Sequence, residues 1–137
     1  MSDDGAKPIA GVTMESAGGF AQTIHAGPHH LTADEPASNG GTNTGPAPYA
    51  LLLSALGACT SITLRMYAQR KGWELGAIHL QLRMLRAPDG AERIERTLRF
   101  SAALSDEQRA RLAEIADKTP VTKTVRAGVA IATTIGA

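Results

Sequence analysis

The longest pattern in the chain is an apolar run with no alternation. Pro48 to Lys71, "PYALLLSALGACTSITLRMYAQRK", holds no helix breaker except Gly57, and Gly72 stands where a helix would end. Pro46 and Pro48 sit at its start, where the N–H that proline lacks would have no intrahelical partner. Such a helix is ~36 Å long at ~1.5 Å per residue. Its first half is apolar nearly all round, which predicts burial on most sides. Its second half is amphipathic, with Arg65, Gln69, Arg70 and Lys71 available to solvent. Ser54, Ala55, Gly57, Ala58 and Ser61 are small enough to admit a second backbone, so a homodimer centred on this helix is expected.

Shorter periods follow. Ile78, Leu80, Leu82 and Met84 alternate with His79, Gln81 and Arg83, the period of a strand with one buried face. Asp89-Gly90 is a hairpin turn signal. Ile94, Leu98, Phe100 and Ala102 then share one phase of a returning strand, and Arg96 falls on that same phase. Ser105 and Gln108 form a capping box ahead of a helix whose buried stripe is Leu112, Ile115 and Ala116. Pro120 stops that helix and opens a short one, with Thr119 as its N-cap. "GVAIATTI" reads as a closing strand.

Upstream of the long helix, "PIAGVTMES" and "FAQTIHA" form a hairpin about Gly18-Gly19, and "HHLTADEP" adds a third short strand. Residues 35–48 are a turn-rich loop and residues 1–6 a frayed tail. The order predicts an α+β chain, not an alternating βαβ one.

Composition narrows this picture without redirecting it. The 137 residues suit one domain, 1–137. Five aromatics, Phe20, Tyr49, Tyr67, Trp73 and Phe100, leave the core to aliphatic side chains. A net charge of +1 argues against nucleic-acid or membrane-surface partners. The opening residues lack an apolar signal region, and no segment is expected to reach the ~18 apolar residues of a membrane span. A single cysteine excludes an intrachain disulfide and suits a reducing cytoplasm. Charge is uneven along the chain: Lys7 is the one lysine or arginine before Arg65.

No metal or cofactor is expected. His29 and His30 are neighbours on a strand and face opposite ways, so they cannot share an ion. "GGTNTGP" lacks the Lys of a phosphate loop, and no Gly-x-Ser-x-Gly elbow is present. The chemistry that remains is Cys59. A cysteine among Leu and Ala on a buried helix is structural unless a positive neighbour favours its thiolate. Cys59 lies about three turns into the helix, beyond reach of the terminal dipole, and Arg65 points to another side. Any cation must come from another element.

"GPAPYALLLSALGACTSITLRMYAQRKGW", followed by "LSDEQRARLAEIADKTPVTKT", resembles the OsmC / organic hydroperoxide resistance family over about Gly40 to Ile135. The resemblance implies an OsmC-like fold, two small antiparallel-rich sheets around a long central helix, assembled as an intertwined homodimer. It implies reduction of organic hydroperoxides by two cysteines at the subunit interface. The first of these, matching Cys59, attacks the peroxide, becomes a sulfenic acid and condenses with the second. Three positions depart from that pattern. Thr119 stands where the second cysteine belongs, Tyr49 stands in place of a glutamate, and no arginine precedes Arg65.

Substitutes are available for the missing groups. Thr119 offers a hydroxyl to Cys59, or is a plain helix cap. Arg96 offers a guanidinium, or lays its stem on the core edge with its charge in water. His25 and Lys123 are weaker cations. Asp34 and Glu35 are loop carboxylates, catalytic or merely solvated. Tyr49 reads as core or pocket wall, and Leu52, Leu53, Leu56 and Met66 would line a site suited to an apolar peroxide. Two functions follow. One is a one-cysteine thiol peroxidase that takes a small organic hydroperoxide and is reset by an external thiol reductant. The other is a non-catalytic relative that binds a small apolar ligand at the dimer interface.

Overall fold

The structure is a computed structural model and describes residues 4–136. Of the expected N-terminal tail, residues 1–3 lie outside the described residues, and residues 4–6 have no regular structure. Backbone contacts gather into two compact units, one ending at Leu51 and the other beginning at Leu52.

The first unit is a three-stranded antiparallel sheet in the order β1-β2-β3, with β1 at Thr13–Glu15, β2 at Gln22–Ala26 and β3 at His29–Ala33. All three strands were expected. The loop after β3 is organised by one carboxylate. Asp34, 2% exposed, accepts the backbone N–H of Glu35 on Oδ1 at 2.7 Å. Its Oδ2 takes the hydroxyls of Thr42 and Thr44, each at 2.7 Å, and their amides at 3.3 and 3.1 Å. Gly41 is required here, because a Cβ would collide with the Glu35 carbonyl. Asp34 is therefore the hub of the loop, and not a solvated carboxylate.

Helix α1 runs Pro48–Lys71, the bounds its breakers predict. In the second unit β4 (Ile78–Arg86) pairs antiparallel with β5 (Glu92–Phe100), placing Leu82 opposite Arg96 and Met84 opposite Ile94. Helix α2 (Asp106–Ala116) starts with the full Ser105–Gln108 capping box. Helix α3 (Pro120–Ala127) follows after three residues. Leu64, Ala68, Leu75 and Leu112 form a dry centre, flanked by Trp73, Ile78, Leu98, Phe100 and Ile115. Gly57 belongs to this unit's own packing: a Cβ there would lie 3.0 Å from the Leu82 Cδ1 atom. Its lack of a side chain admits β4, where the sequence suggested a second chain.

Three expectations need correction. "GVAIATTI" forms no strand in the described chain; Val129, Ile131 and Ile135 are 67, 87 and 93% exposed. Alternation marks a segment able to join a sheet, and no sheet edge among the described residues takes it up. The first half of α1 is not buried all round, with Tyr49 53% and Leu52 38% exposed, so Tyr49 is not core. Finally, α1 contains an 18-residue window of mean hydropathy 1.3, long and apolar enough by composition to span a membrane. Ser54, Thr60, Ser61 and Thr63 interrupt its apolar run without lowering that mean below a span's value.

Candidate functional site

Helix α1 has two unlike faces. Leu56, Gly57, Thr60, Leu64 and Ala68 are buried by their own chain. Leu52, Ala55, Cys59, Ile62 and Met66 follow a three-four spacing along another side. Leu52, Ala55, Ile62 and Met66 are exposed and Cys59 is half-buried. The sulfur thus sits on the uncovered stripe, among apolar neighbours, and is not sealed in the core.

Arg96 enters the second unit from β5. The strand's phase turns the side chain inward, and only 12% of it is exposed. Nη1 donates to the Thr60 hydroxyl at 2.8 Å and to the Thr122 hydroxyl at 3.0 Å. Nη2 donates to the Ala116 carbonyl at 3.1 Å and lies 3.6 Å from the Asp117 carboxylate. Ala116 ends α2, so this carbonyl is one that the helix cannot satisfy, at the negative end of its dipole. The charge is therefore not in water, contrary to the ordinary fate of an arginine on a core edge. Hydroxyls and a helix end solvate it instead. Burial lowers the Arg96 pKa from its ordinary value; the charge of Asp117 opposes this and that of Arg126 adds to it. Thr60, which accepts from Arg96, is the residue next to Cys59 on α1.

Around this guanidinium the hydroxyl protons can be assigned. Thr60 donates to the Leu56 carbonyl at 2.7 Å, which leaves its lone pairs for Arg96. Thr122 donates to the Ala116 carbonyl at 3.3 Å, so the 2.6 Å contact with Thr119 takes its proton from Thr119. Thr119 is fully buried and occupies the N-cap position of α3, but its side chain makes no capping bond. Its hydroxyl faces Thr122, one turn on, and supports Arg96 through it. Thr60 and Thr122 were missed as site residues. Their signal was a polar side chain held in an apolar helix and a threonine repeated at a spacing of three.

The remaining candidates fall elsewhere. Leu56 is buried and Leu53 half-buried on α1, whereas Leu52 and Met66 are on its open side. Glu35 is half-buried and accepts from the Asn39 amide at 3.2 Å. His25 packs edge-on against His30, with ring centroids 4.5 Å apart. Lys123 is exposed on α3. Among the described residues no group of three or more His, Cys, Asp or Glu could hold a metal ion.

The profile of the OsmC-like protein family matches residues 41–134. The chain belongs to that family. An OsmC-like protein of Mycoplasma pneumoniae superposes with a TM-score of 0.76 at 21% identity, covering 88% of this chain and 89% of that one. The organic hydroperoxide resistance protein OhrB of Bacillus subtilis superposes at 0.59 and 27% identity, covering 85% and 90%. The organic hydroperoxide resistance protein OsmC of Legionella pneumophila gives 0.62 at 17%, covering 88% and 92%. None of the curated proteins matches by sequence. The long helix and small antiparallel sheets are accordingly an OsmC-like fold, and Cys59, Arg96 and Thr119 fall inside the matched span.

Proposed function

We propose that this OsmC-like protein is a one-cysteine thiol peroxidase for organic hydroperoxides, acting in oxidative-stress defence. The observation that carries the reading is the largely buried, hydrogen-bonded Arg96, whose Nη1 donates to Thr60, the residue next to Cys59 on α1. A fixed cation near the sulfur stabilises its anion, and the thiolate is the nucleophile. The Cys59 thiolate attacks the terminal peroxide oxygen and the O–O bond breaks. The departing alkoxide takes a proton and leaves as an alcohol, and the sulfur is left as a sulfenic acid. With one cysteine in the chain, two external thiols then supply the two electrons that restore it.

A homodimer completes this reading. The stripe Leu52, Ala55, Cys59, Ile62, Met66 has the spacing of a helix-pairing seam. Unpaired residues 129–136 offer a strand to another chain. Both features are covered if two copies join along α1, and a peroxide would then meet Cys59 in an apolar setting.

Peroxide consumption with cumene hydroperoxide and a small thiol tests the proposal. Wild type is expected to turn over and Cys59→Ser to be silent; equal rates in the two would overturn it. The other reading, a non-catalytic protein that binds a small apolar ligand, is favoured by Thr119 standing in place of a second thiol. It predicts that iodoacetamide labels Cys59 only at high pH or in denaturant, with no turnover.

A further inference from the structure

The first unit holds two imidazoles together through the register of its sheet. A two-residue turn, Gly27-Pro28, joins β2 to β3 and sets Ala26 opposite His29 and His25 opposite His30. Gly27 takes the positive φ of 58° that so tight a turn uses, and proline fixes the φ of the residue after it. The pair that closes a two-residue turn is hydrogen-bonded. The next pair, His25 and His30, is then of the other kind, in which side chains stand closest. Their rings meet at 4.5 Å between centroids and 78° between planes. His29 shares the opposite face with Ile24, so the two adjacent histidines do point apart. The two that meet are five positions apart in the chain, and only the hairpin unites them. Among the described residues neither ring makes a hydrogen bond or an ion pair; each has the other as its contact.

We propose that His25 and His30 form a two-histidine site for a divalent transition-metal ion of the zinc, copper or nickel class. An imidazole nitrogen binds such an ion at ~2.0–2.1 Å, so two rings sharing one ion at a right or tetrahedral angle have centroids roughly 4.5–5 Å apart. The rings already stand at that spacing, and an ion asks them to turn about their own bonds without moving a strand. Among the described residues no third histidine, cysteine or carboxylate completes the group. The donors are thus two neutral ring nitrogens and water. That set suits zinc, copper or nickel, and not magnesium or calcium, whose ligands are oxygens. Water can fill the open positions, because His30 is exposed and His25 only half-buried. The site lies wholly in the first unit and does not depend on the role of Cys59.

The test titrates zinc chloride, and magnesium chloride in parallel, into the full-length chain, followed by calorimetry and by the imidazole nitrogen resonances in NMR. The titration is repeated in Cys59→Ser, where no thiolate can ligate. Zinc is expected to saturate at about one ion per chain and to bind Cys59→Ser equally well. It should move the His25 and His30 resonances together and leave those of His29 and His79 in place. Magnesium should not bind. His25→Gln and His30→Gln should each weaken zinc by ~10-fold or more, and His29→Gln should not weaken it. The wild-type resonances carry the test even where a Gln variant fails to fold. Zinc that moves all of the histidines alike, or that leaves His25 and His30 unmoved, overturns the proposal. So does binding that is lost in Cys59→Ser, which puts the ion on the sulfur. Saturation at half an ion per chain overturns it also, since the ion would then bridge two copies.

Discussion

Asp34 and Arg96 are both charged, both largely buried, and both surrounded mainly by neutral groups, yet they are held in opposite ways. Asp34 takes its donors from a single loop, none more than ten residues away. Arg96 gathers acceptors 36, 26 and 20 residues distant, on α1, on α3 and at the end of α2. The first arrangement closes a loop on itself and spends the carboxylate's oxygens doing so. The second ties three helices to a strand, and one of its acceptors, Thr60, is the residue next to Cys59 on α1. Burial alone does not separate a structural charge from a chemical one. On the function proposed for Cys59, what separates them is whether the charge still acts on a group it does not hold.

Replacing each charge by a neutral residue probes this contrast most strongly. Arg96→Leu takes one of two donors from the Ala116 carbonyl and removes the donor shared by Thr60 and Thr122, at a cost of about 2–4 kcal/mol in urea unfolding. It should also move alkylation of Cys59 to higher pH. Asp34→Asn should destabilise the chain and leave the alkylation profile where it was. If Asp34→Asn shifts the profile as far as Arg96→Leu does, the distinction between the two charges fails.

The contrast extends to pH. Hydroxyl bonds from Thr42 and then Thr44 hold the Asp34 carboxyl well below the usual carboxylate range, backbone amides add to this, and burial opposes it. A depressed value in the folded state means stability that is present above the unfolded pKa and is lost as pH falls toward the folded one. Wild type should therefore lose stability below about pH 4, the ordinary carboxylate value. Asp34→Asn should flatten that acid limb. Arg96 titrates far above this range, so Arg96→Leu should lower the whole curve without changing its acid slope. Parallel acid limbs in wild type and Asp34→Asn would remove Asp34 as the cause.

How much of each centre could be read beforehand follows from the same difference in reach. The bounds of α1 were legible because Pro48 and Gly72 act within a turn of the ends they set. The Ser105–Gln108 box and the β4–β5 alternation are equally local. Arg96 was visible as a charge on an apolar phase, but its partners come from elements far along the chain, and no local pattern reports them. The open side of α1 was hidden for a related reason. A helix apolar all round shows that it will be covered, and not whether its own chain does the covering. Residues 128–135 were misread as a strand because pairing needs an edge, and alternation carries no information about where that edge lies.

Single hydroxyls give the smallest and most discriminating effects. Thr122→Val removes one Arg96 acceptor, the partner of Thr119 and a donor to Ala116, with Thr122 only 4% exposed. Its cost should be about 1–2 kcal/mol, accompanied by a small rise in the pH at which Cys59 is alkylated. Thr44→Val removes one of the hydroxyls on Asp34 but leaves the Thr44 amide donating to the same oxygen, so its loss should be smaller and silent at the sulfur. Thr119→Val lies between them: it takes away the proton given to Thr122 but no ligand of Arg96 itself. A Thr119→Val alkylation profile displaced as far as that of Thr122→Val would mean that Thr119 touches the sulfur's chemistry directly, and not through the arginine.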